Sequence, residues 1–457
     1  MEEMRVLDGG HGLFHGGGTN EDLFKMSLDY DPYFVGVDAG SCDGGPAFLG
    51  SGKSLTTRRA LKQSLDVMLR GTRARGIPLM MGSAGMAGGR PQVDLFREII
   101  EEVARERGLH FKLALIYSDV ETGWLKKKLG DGKVKPLGPV APLTEEDVDR
   151  SNRIVAMMGV EPFMEALDAG ADVVVAGRAS DSAIFATLPI MHGIDPGVAW
   201  HCGKTIECGK LIAEPDDDVN TQILARLRKD HFIVEPTHPK ARCTVMRVAA
   251  HTLYENTDPY LMPEPGVITD ASQANFEQID PRRVLVRGSR HIPQPYTVKL
   301  EGSELVGYRT ITIASMTDPY LISNIDDYIA RAQEKASKGA VGLGVDPNDF
   351  KFFYRVYGGD ATMAPWRLPH DASPVREVCI IGECIAETQE IANSVMNFGH
   401  NTLLHQRYPG ELCSSGSAAF PYSPQDIEMG PVYRFNVWHV VGLDNPMETF
   451  SIDTVTV

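Results

Sequence analysis

Short, unbroken apolar runs alternate with amphipathic stretches through the first half of the chain. The runs at 33–40 (YFVGVDAG), 77–85 (IPLMMGSAG), 111–119 (FKLALIYSD) and 171–181 (ADVVVAGRASD) predict strands buried on both faces. Between them apolar residues recur at helical spacing. Leu61, Leu65, Met68 and Leu69 mark one helical face over 54–70. Phe96, Ile99, Ile100 and Val103 mark the next, with Pro91 near its start and Gly108 past its end. Thr144 with Asp147 predicts a capped helix start, 162–167 a helix closed by Gly170, and apolar helices run on to about 213. Apolar strands separated by amphipathic helices predict an α/β domain over residues 1–225, a doubly wound parallel sheet joined by right-handed crossovers.

The second half has a different pattern. Strand-like runs at 282–288, 296–300 and 307–315 precede a helix that begins near Asp318 and Pro319 and carries Ile322, Ile325 and Ile329. Further strands are expected at 351–358, 376–386, 432–441 and 448–455, with one helix at 387–405. Strand groups interrupted by single helices predict an α+β domain over 226–457, which closes the cleft or mediates assembly. No internal repeat or low-complexity segment is visible.

Composition narrows the class. With 457 residues, two or three domains are expected. A net charge of −16 argues against nucleic acid as a partner, since phosphate-backbone binding relies on clustered Lys and Arg. No apolar run reaches the roughly 20 residues of a membrane span, and the start MEEMRVLDGG does not resemble a signal peptide. A cytoplasmic protein is expected, without a membrane partner and as a homo-oligomer. Seven cysteines without a C-x-x-C pair argue against a disulfide framework or a zinc ribbon, and no metal or cofactor is required by the sequence.

In an open parallel sheet ligands bind outside the carboxyl ends of the strands. The residues just after each apolar run therefore form one candidate site. They are Asp38, Ser41, Cys42 and Asp43; Ser83, Gly85 and Arg90; Ser118 and Asp119; and Arg178, Ser180 and Asp181. Arginine binds an anionic group bidentately, glycine amides hold a developing oxyanion, and a buried carboxylate moves protons. The alternative for each residue taken singly is a turn or cap, with Asp181 capping the helix that follows.

The segment DAGSCDGGPAFLGSGKS (38–54) ends in Gly-Lys-Ser, yet Ala47 stands where a phosphate-binding loop needs its first glycine. What remains is a glycine-rich lead into a helix, where Lys53 and free amides suit a phosphate or carboxylate, or simply a turn with Ser54 as N-cap. GSAGMAGGRP (82–91) departs from the G-x-G-x-x-G dinucleotide fingerprint. His11 and His15 have ligand spacing, but the glycines around them favour a loop over a metal site. Glu207 is a general-base candidate in an apolar setting, and Cys208 beside it is a core thiol or a nucleophile. His370, His400, His405 and Arg407 are expected to be structural, with one of them a candidate for closing the cleft.

Several segments resemble the acyclic terpene utilisation (AtuA-like) family. They are GSAGMAGGRPQVDLFREIIEEVARERGL, ADVVVAGRASDSAIF, GKTIECGKLIAE, VGYRTITIASMTDPYLI, HNTLLHQRYPG and GSAAFPYSP, which span about 77 to 424. The end, YRFNVWHVVGLDNPMETFSID, resembles a small module found alongside that family. The resemblance implies catabolism of acyclic terpenes and small branched acids through carboxylate or acyl-CoA intermediates. It also implies a pocket at Arg178, Asp181, Glu207, Cys208 and the 83–90 loop.

With no nucleotide fingerprint or nucleophile triad, the expectation is a lyase or hydratase acting on a small carboxylate or acyl-CoA, the CoA moiety belonging to the substrate. Asp38, Asp43 or Glu207 would move the proton. Arg178 or Arg90 would bind the acid group, and Ser41, Ser83, Gly85, Ser180, Asp181 and Lys53 would line the pocket. The alternatives are a non-catalytic ligand-binding or assembly subunit, and a cysteine-dependent acyl transferase or thioesterase at Cys42 or Cys208.

Overall fold

A computed structural model describes residues 3–14, 16–215, 219–358, 375–412 and 418–457. His15 of the histidine pair, His370 and Cys413 lie outside them. The chain forms two compact units, residues 1–304 with 435–457, and residues 305–434.

The first unit is built on a ten-stranded sheet. Its centre is five parallel strands in the order Met4–Asp8, Phe34–Asp38, Leu79–Gly82, Val173–Ala176 and Lys112–Tyr117. These include the four apolar runs expected to be strands, preceded by one more at the start of the chain. Successive side chains point to opposite faces. Val35, Val37, Leu79 and Met81 join a core with Leu61, Leu65, Phe96 and Ile100. Phe34, Met80, Val174 and Ala176 join the other with Phe163, Phe185 and Trp200. The sheet is thus buried on both sides, which is why its strands lack polar alternation. Gly36 has a packing reason: a Cβ there would lie 2.5 Å from the Phe185 ring.

The sheet is mixed, not purely parallel. Antiparallel strands Ile223–Leu227, His231–Pro236, Val284–Arg287 and Asn275–Gln278 extend one edge, and Ser451–Thr456 pairs with Lys112–Tyr117 at the other. The runs expected at 296–300 and 307–315 form one continuous strand, Thr297–Met316. In the first unit its Leu300–Glu304 portion pairs with the strand Ser151–Ala156.

The helix punctuation follows the expected residues. Arg90–Arg107 carries Pro91 in its first turn and ends at Gly108 with φ 64°. Thr144 and Asp147 form the expected reciprocal cap. The helix expected from residue 54 instead begins at Arg58, capped by Thr57. Pro46–Ser51 forms a short helix of its own, closed by Gly52 with φ 69°. Ser54 therefore caps nothing, and the Gly-Lys-Ser run does not open the long helix.

The second unit pairs Tyr308–Met316, Val378–Ala386 and Phe350–Tyr357 antiparallel and packs the helices Ile325–Gly342 and Gln389–His405 against them. The His400 Nδ1 lies 2.8 Å from Asp426. Among the described residues no helix is long and apolar enough to cross a membrane.

Gly88 sets how closely two loops of the first unit approach. It has φ 66°, and a Cβ on it would lie 2.2 Å from the Arg178 backbone nitrogen. Gly88→Ala is expected to lower the unfolding free energy by roughly 2–4 kcal/mol, because positive-φ strain and a backbone clash act together. Chemical denaturation measures it, and a loss below about 0.5 kcal/mol would contradict this packing.

Candidate functional site

Asp8, Asp38, Ser83, Ser118 and Arg178 stand at or just beyond the carboxyl ends of the parallel strands, on one edge of the sheet. Hydrogen bonds between the loops hold that edge together. Ser83, at φ 51°, accepts on its Oγ from the Arg178 guanidinium at 3.1 Å and from the Ala179 N–H at 3.3 Å. Ser118 Oγ accepts the Arg178 backbone N–H at 2.7 Å and donates to the Gly88 carbonyl at 3.1 Å.

Arg178 is almost fully buried. Its Nε donates to Glu301 at 2.7 Å, and its Nη1 reaches the Ala179 carbonyl at 2.6 Å and Asp181 at 3.3 Å. Its hydrogen bonds to the described residues run through Nε and Nη1. Glu301 is held from the other side by Lys299 at 2.7 Å, whose ammonium sits 3.7 Å from the centre of the Trp438 ring. Burial alone would raise the Glu301 carboxyl, but the charges of Arg178 and Lys299 bring it down to about 2. Arg178 is first of all the partner of a buried anion, a role that a single sequence position does not reveal.

Around this pair the structure gathers carboxyl groups with divided proton affinities. Burial raises Asp38 well above its ordinary value, and the charges of Asp181 and Glu207 add to the effect, against the Gly40 N–H and Arg178. Burial raises Asp181 to about 7, with Arg178 opposing and Glu207 adding. Asp8 is raised to about 8 by burial, against a 2.8 Å bond from the Gly10 N–H. Glu264, which accepts from Ser180 Oγ at 2.6 Å, is raised by burial as well. Glu207 goes the other way. Burial would raise it, but the His251 ring at 3.6 Å and the Lys204 ammonium at 2.7 Å hold it at about 2. A carboxyl group held low by its neighbouring cations thus shares an edge of the sheet with carboxyl groups whose proton affinity burial raises.

The thiols are in the opposite condition to nucleophiles. Burial and then the Glu301 charge push Cys42 up, while burial and then the Glu207 charge push Cys208 up. A reactive cysteine needs an electropositive surrounding. No group of three or more His, Cys, Asp or Glu among the described residues is arranged to hold a metal ion.

The remaining candidates divide by position. Ser180 is buried and bonded to Glu264, and Ser41 Oγ accepts the Asp43 N–H at 3.1 Å. Gly85, at φ 69°, offers its carbonyl to Gln92 at 3.2 Å within the 83–90 turn. The side chains of Asp43 and Lys53 face solvent. Arg90 is exposed, with its guanidinium carbon 3.7 Å from the centre of the Tyr117 ring. Asp8, Lys204, His251, Glu264 and Glu301 were not anticipated. For Asp8 a signal exists, since MRVLDGG repeats the apolar-run, Asp and small-residue pattern of FVGVDAG.

The Asp8 environment has a measurable consequence. Its folded-state value of about 8 lies above the ordinary 3.8, so ionisation costs the folded state stability as pH rises from about 4 to about 8. Asp8→Asn keeps the acceptor for the Gly10 N–H and removes that cost. The variant is expected to match the wild type near pH 4 and to exceed it by several kcal/mol at pH 9, since each tenfold change in proton affinity weighs about 1.4 kcal/mol. Denaturant titrations at the two pH values measure the difference, and an equal offset at both would refute it.

Fold and site together define a mixed-sheet α/β protein with a buried carboxylate cluster at the carboxyl edge of its parallel strands. The family model described as acyclic terpene utilisation family protein AtuA matches residues 57–216 and 225–340, and the chain belongs to that family. Arg178, Asp181, Lys204, Glu207, Glu264 and Glu301 lie within the matched residues, while Asp8 and Asp38 precede them. No curated protein and no solved structure matches the chain.

Proposed function

We propose that the protein is a catabolic enzyme of the lyase or hydratase type, which transfers a proton on a small carboxylate or its acyl thioester. The family description suggests acyclic terpene breakdown as the setting. The observation that carries the reading is the split within one cluster: Asp181 titrates at about 7 and Asp38 is raised well above its ordinary value, beside an ionised Glu207. Carboxyl groups pushed apart in proton affinity are the means by which one site supplies an acid and a base at neutral pH.

In the hydration direction, ionised Asp181 takes a proton from water as the water oxygen bonds to the β-carbon. Protonated Asp38 gives its proton to the α-carbon, and H and OH have then been added across the double bond. Asp38 must carry its proton and Asp181 must lack one. The rate is therefore expected to rise with pH through about 7 as Asp181 ionises, and to fall once Asp38 loses its proton. Glu207, tied to Lys204 and His251, raises both neighbours without itself exchanging a proton near neutrality. Nη2 of Arg178 and the amides of the 83–90 loop are the groups that would meet charge developing on the substrate oxygen. A turnover screen of carboxylates and CoA esters tests the reading. A product with water added or removed supports it, and no turnover of any member would sink it.

A further inference from the structure

We infer, building on the assignment of Asp181 as the base, that Lys204 is the anchor for a free carboxylate of the substrate, and that Glu255 holds that place as a surrogate anion until the substrate displaces it. The two arginines expected to bind an acid group are occupied elsewhere, Arg178 on Glu301 and Arg90 on the Tyr117 ring. Lys204 stands beside the base. After burial, Arg178 and Glu207, the charges that act on the Asp181 carboxyl are those of Lys204 and Glu255.

The Lys204 ammonium has three N–H donors and two carboxylate partners at different depths. Glu207, at 2.7 Å, has a side chain only 1% exposed and is held from another side by the His251 ring at 3.6 Å. Glu255, at 3.1 Å, reaches in from the surface, with 40% of its side chain exposed against 11% for Lys204. The Tyr254 ring, centred 5.2 Å from the ammonium and stacked on His251, walls the same spot.

Glu255 belongs to a strap between the helix Val245–Thr252 and the strand Leu261–Glu264. Among the described residues no backbone–backbone hydrogen bond ties 255–259 to the rest of the fold. The polar side chains of the strap bond locally: Asn256 Nδ2 donates to the Thr252 and Tyr254 carbonyls, and Asp258 Oδ1 accepts the Tyr260 and Leu261 N–H groups. Glu255 itself has φ 59°, a left-handed conformation unfavourable to a residue with a Cβ. Its side chain can therefore leave Lys204 without breaking a sheet or a helix. A substrate carboxylate replaces it charge for charge, whereas an uncharged group in the same place would leave the half-buried ammonium one anion short.

Calorimetric titration of the full-length protein with acetate, and separately with its uncharged counterpart acetamide, tests the exchange. Glu255→Gln removes the tethered competitor at an exposed side chain, so the variant keeps the fold. Acetate is expected to bind it more tightly than the wild type by roughly threefold or more, the scale of a partly exposed ion pair, with acetamide unchanged. Glu255→Asp, which keeps the charge, should return acetate affinity towards the wild-type value. In a Lys204→Met background the gain from Glu255→Gln should vanish. Acetate affinity unmoved by Glu255→Gln, an equal gain for acetamide, or a gain that persists without Lys204 overturns the inference. Asp38→Asn separates it from the catalytic assignment. If that variant loses turnover while acetate ignores Glu255, the acid–base pair stands and the anchor falls. If acetate follows Glu255 and Lys204 but no substrate is turned over, the anchor stands and the pair falls.

Discussion

Asp38→Asn is expected to lower turnover by on the order of 10²–10⁴, the usual contribution of a positioned acid or base. The variant should fold. The new carboxamide keeps an oxygen to accept the Gly40 N–H, and the change removes a buried group whose ionisation opposes folding. Asp181→Asn is expected to cost a similar factor by a different route, and the pH profiles tell the two apart. Losing the base at Asp181 should remove the acid limb near pH 7 from the residual activity, whereas losing the acid at Asp38 should remove the alkaline limb. Glu207→Gln is the informative contrast. Removing the anion lowers the proton affinity of both neighbours, so the whole profile should move to lower pH. Profiles that keep both limbs in all three variants would show that the carboxyl cluster is structural.

Arg178→Met is expected to produce the largest loss of stability of any single change at the site, about 3–5 kcal/mol, because it leaves Glu301 buried with only Lys299 as a charge partner. Glu301→Gln leaves Arg178 with Asp181 at 3.3 Å and Ser83, and should cost less. The double variant Arg178→Met with Glu301→Met removes both charges and should recover much of the loss, since a buried pair is costly chiefly when it is broken on one side. Equilibrium denaturation of the singles and the double forms a cycle whose coupling energy measures the pair. A double variant no more stable than the sum of the singles predicts would mean that the guanidinium is not paired as described.

Much of the central sheet was legible. Runs such as FVGVD and VVVA are apolar on both faces because helices cover both, and Gly108 and Gly170 end helices because the left-handed turn there favours glycine. The placement of Asp38 at the end of its strand and of Asp181 at the start of the helix that follows Val173–Ala176 was legible because each comes soon after a buried apolar run, on the edge where parallel strands end. Asp8 escaped because its five-residue strand precedes any helical period that would announce an α/β unit. The antiparallel edges escaped because a strand of ordinary alternation does not specify which sheet it joins. Thr297–Met316 read as two runs because a polar stretch interrupted the apolar pattern, whereas pairing continues through it.

Local order sufficed for strands, caps and the list of strand-end residues, because these follow from short-range sterics and from periods of two and 3.6 residues. What those residues do was decided by tertiary structure. Arg178 meets Glu301 across 123 positions, and nothing near either residue announces the other. Whether Asp181 titrates at about 7 and Glu207 at about 2 depends on burial and on which cations stand within a few ångströms. Those distances arise only when the chain closes on itself, so the sequence alone could name Asp38, Asp181 and Glu207 but not divide their protons.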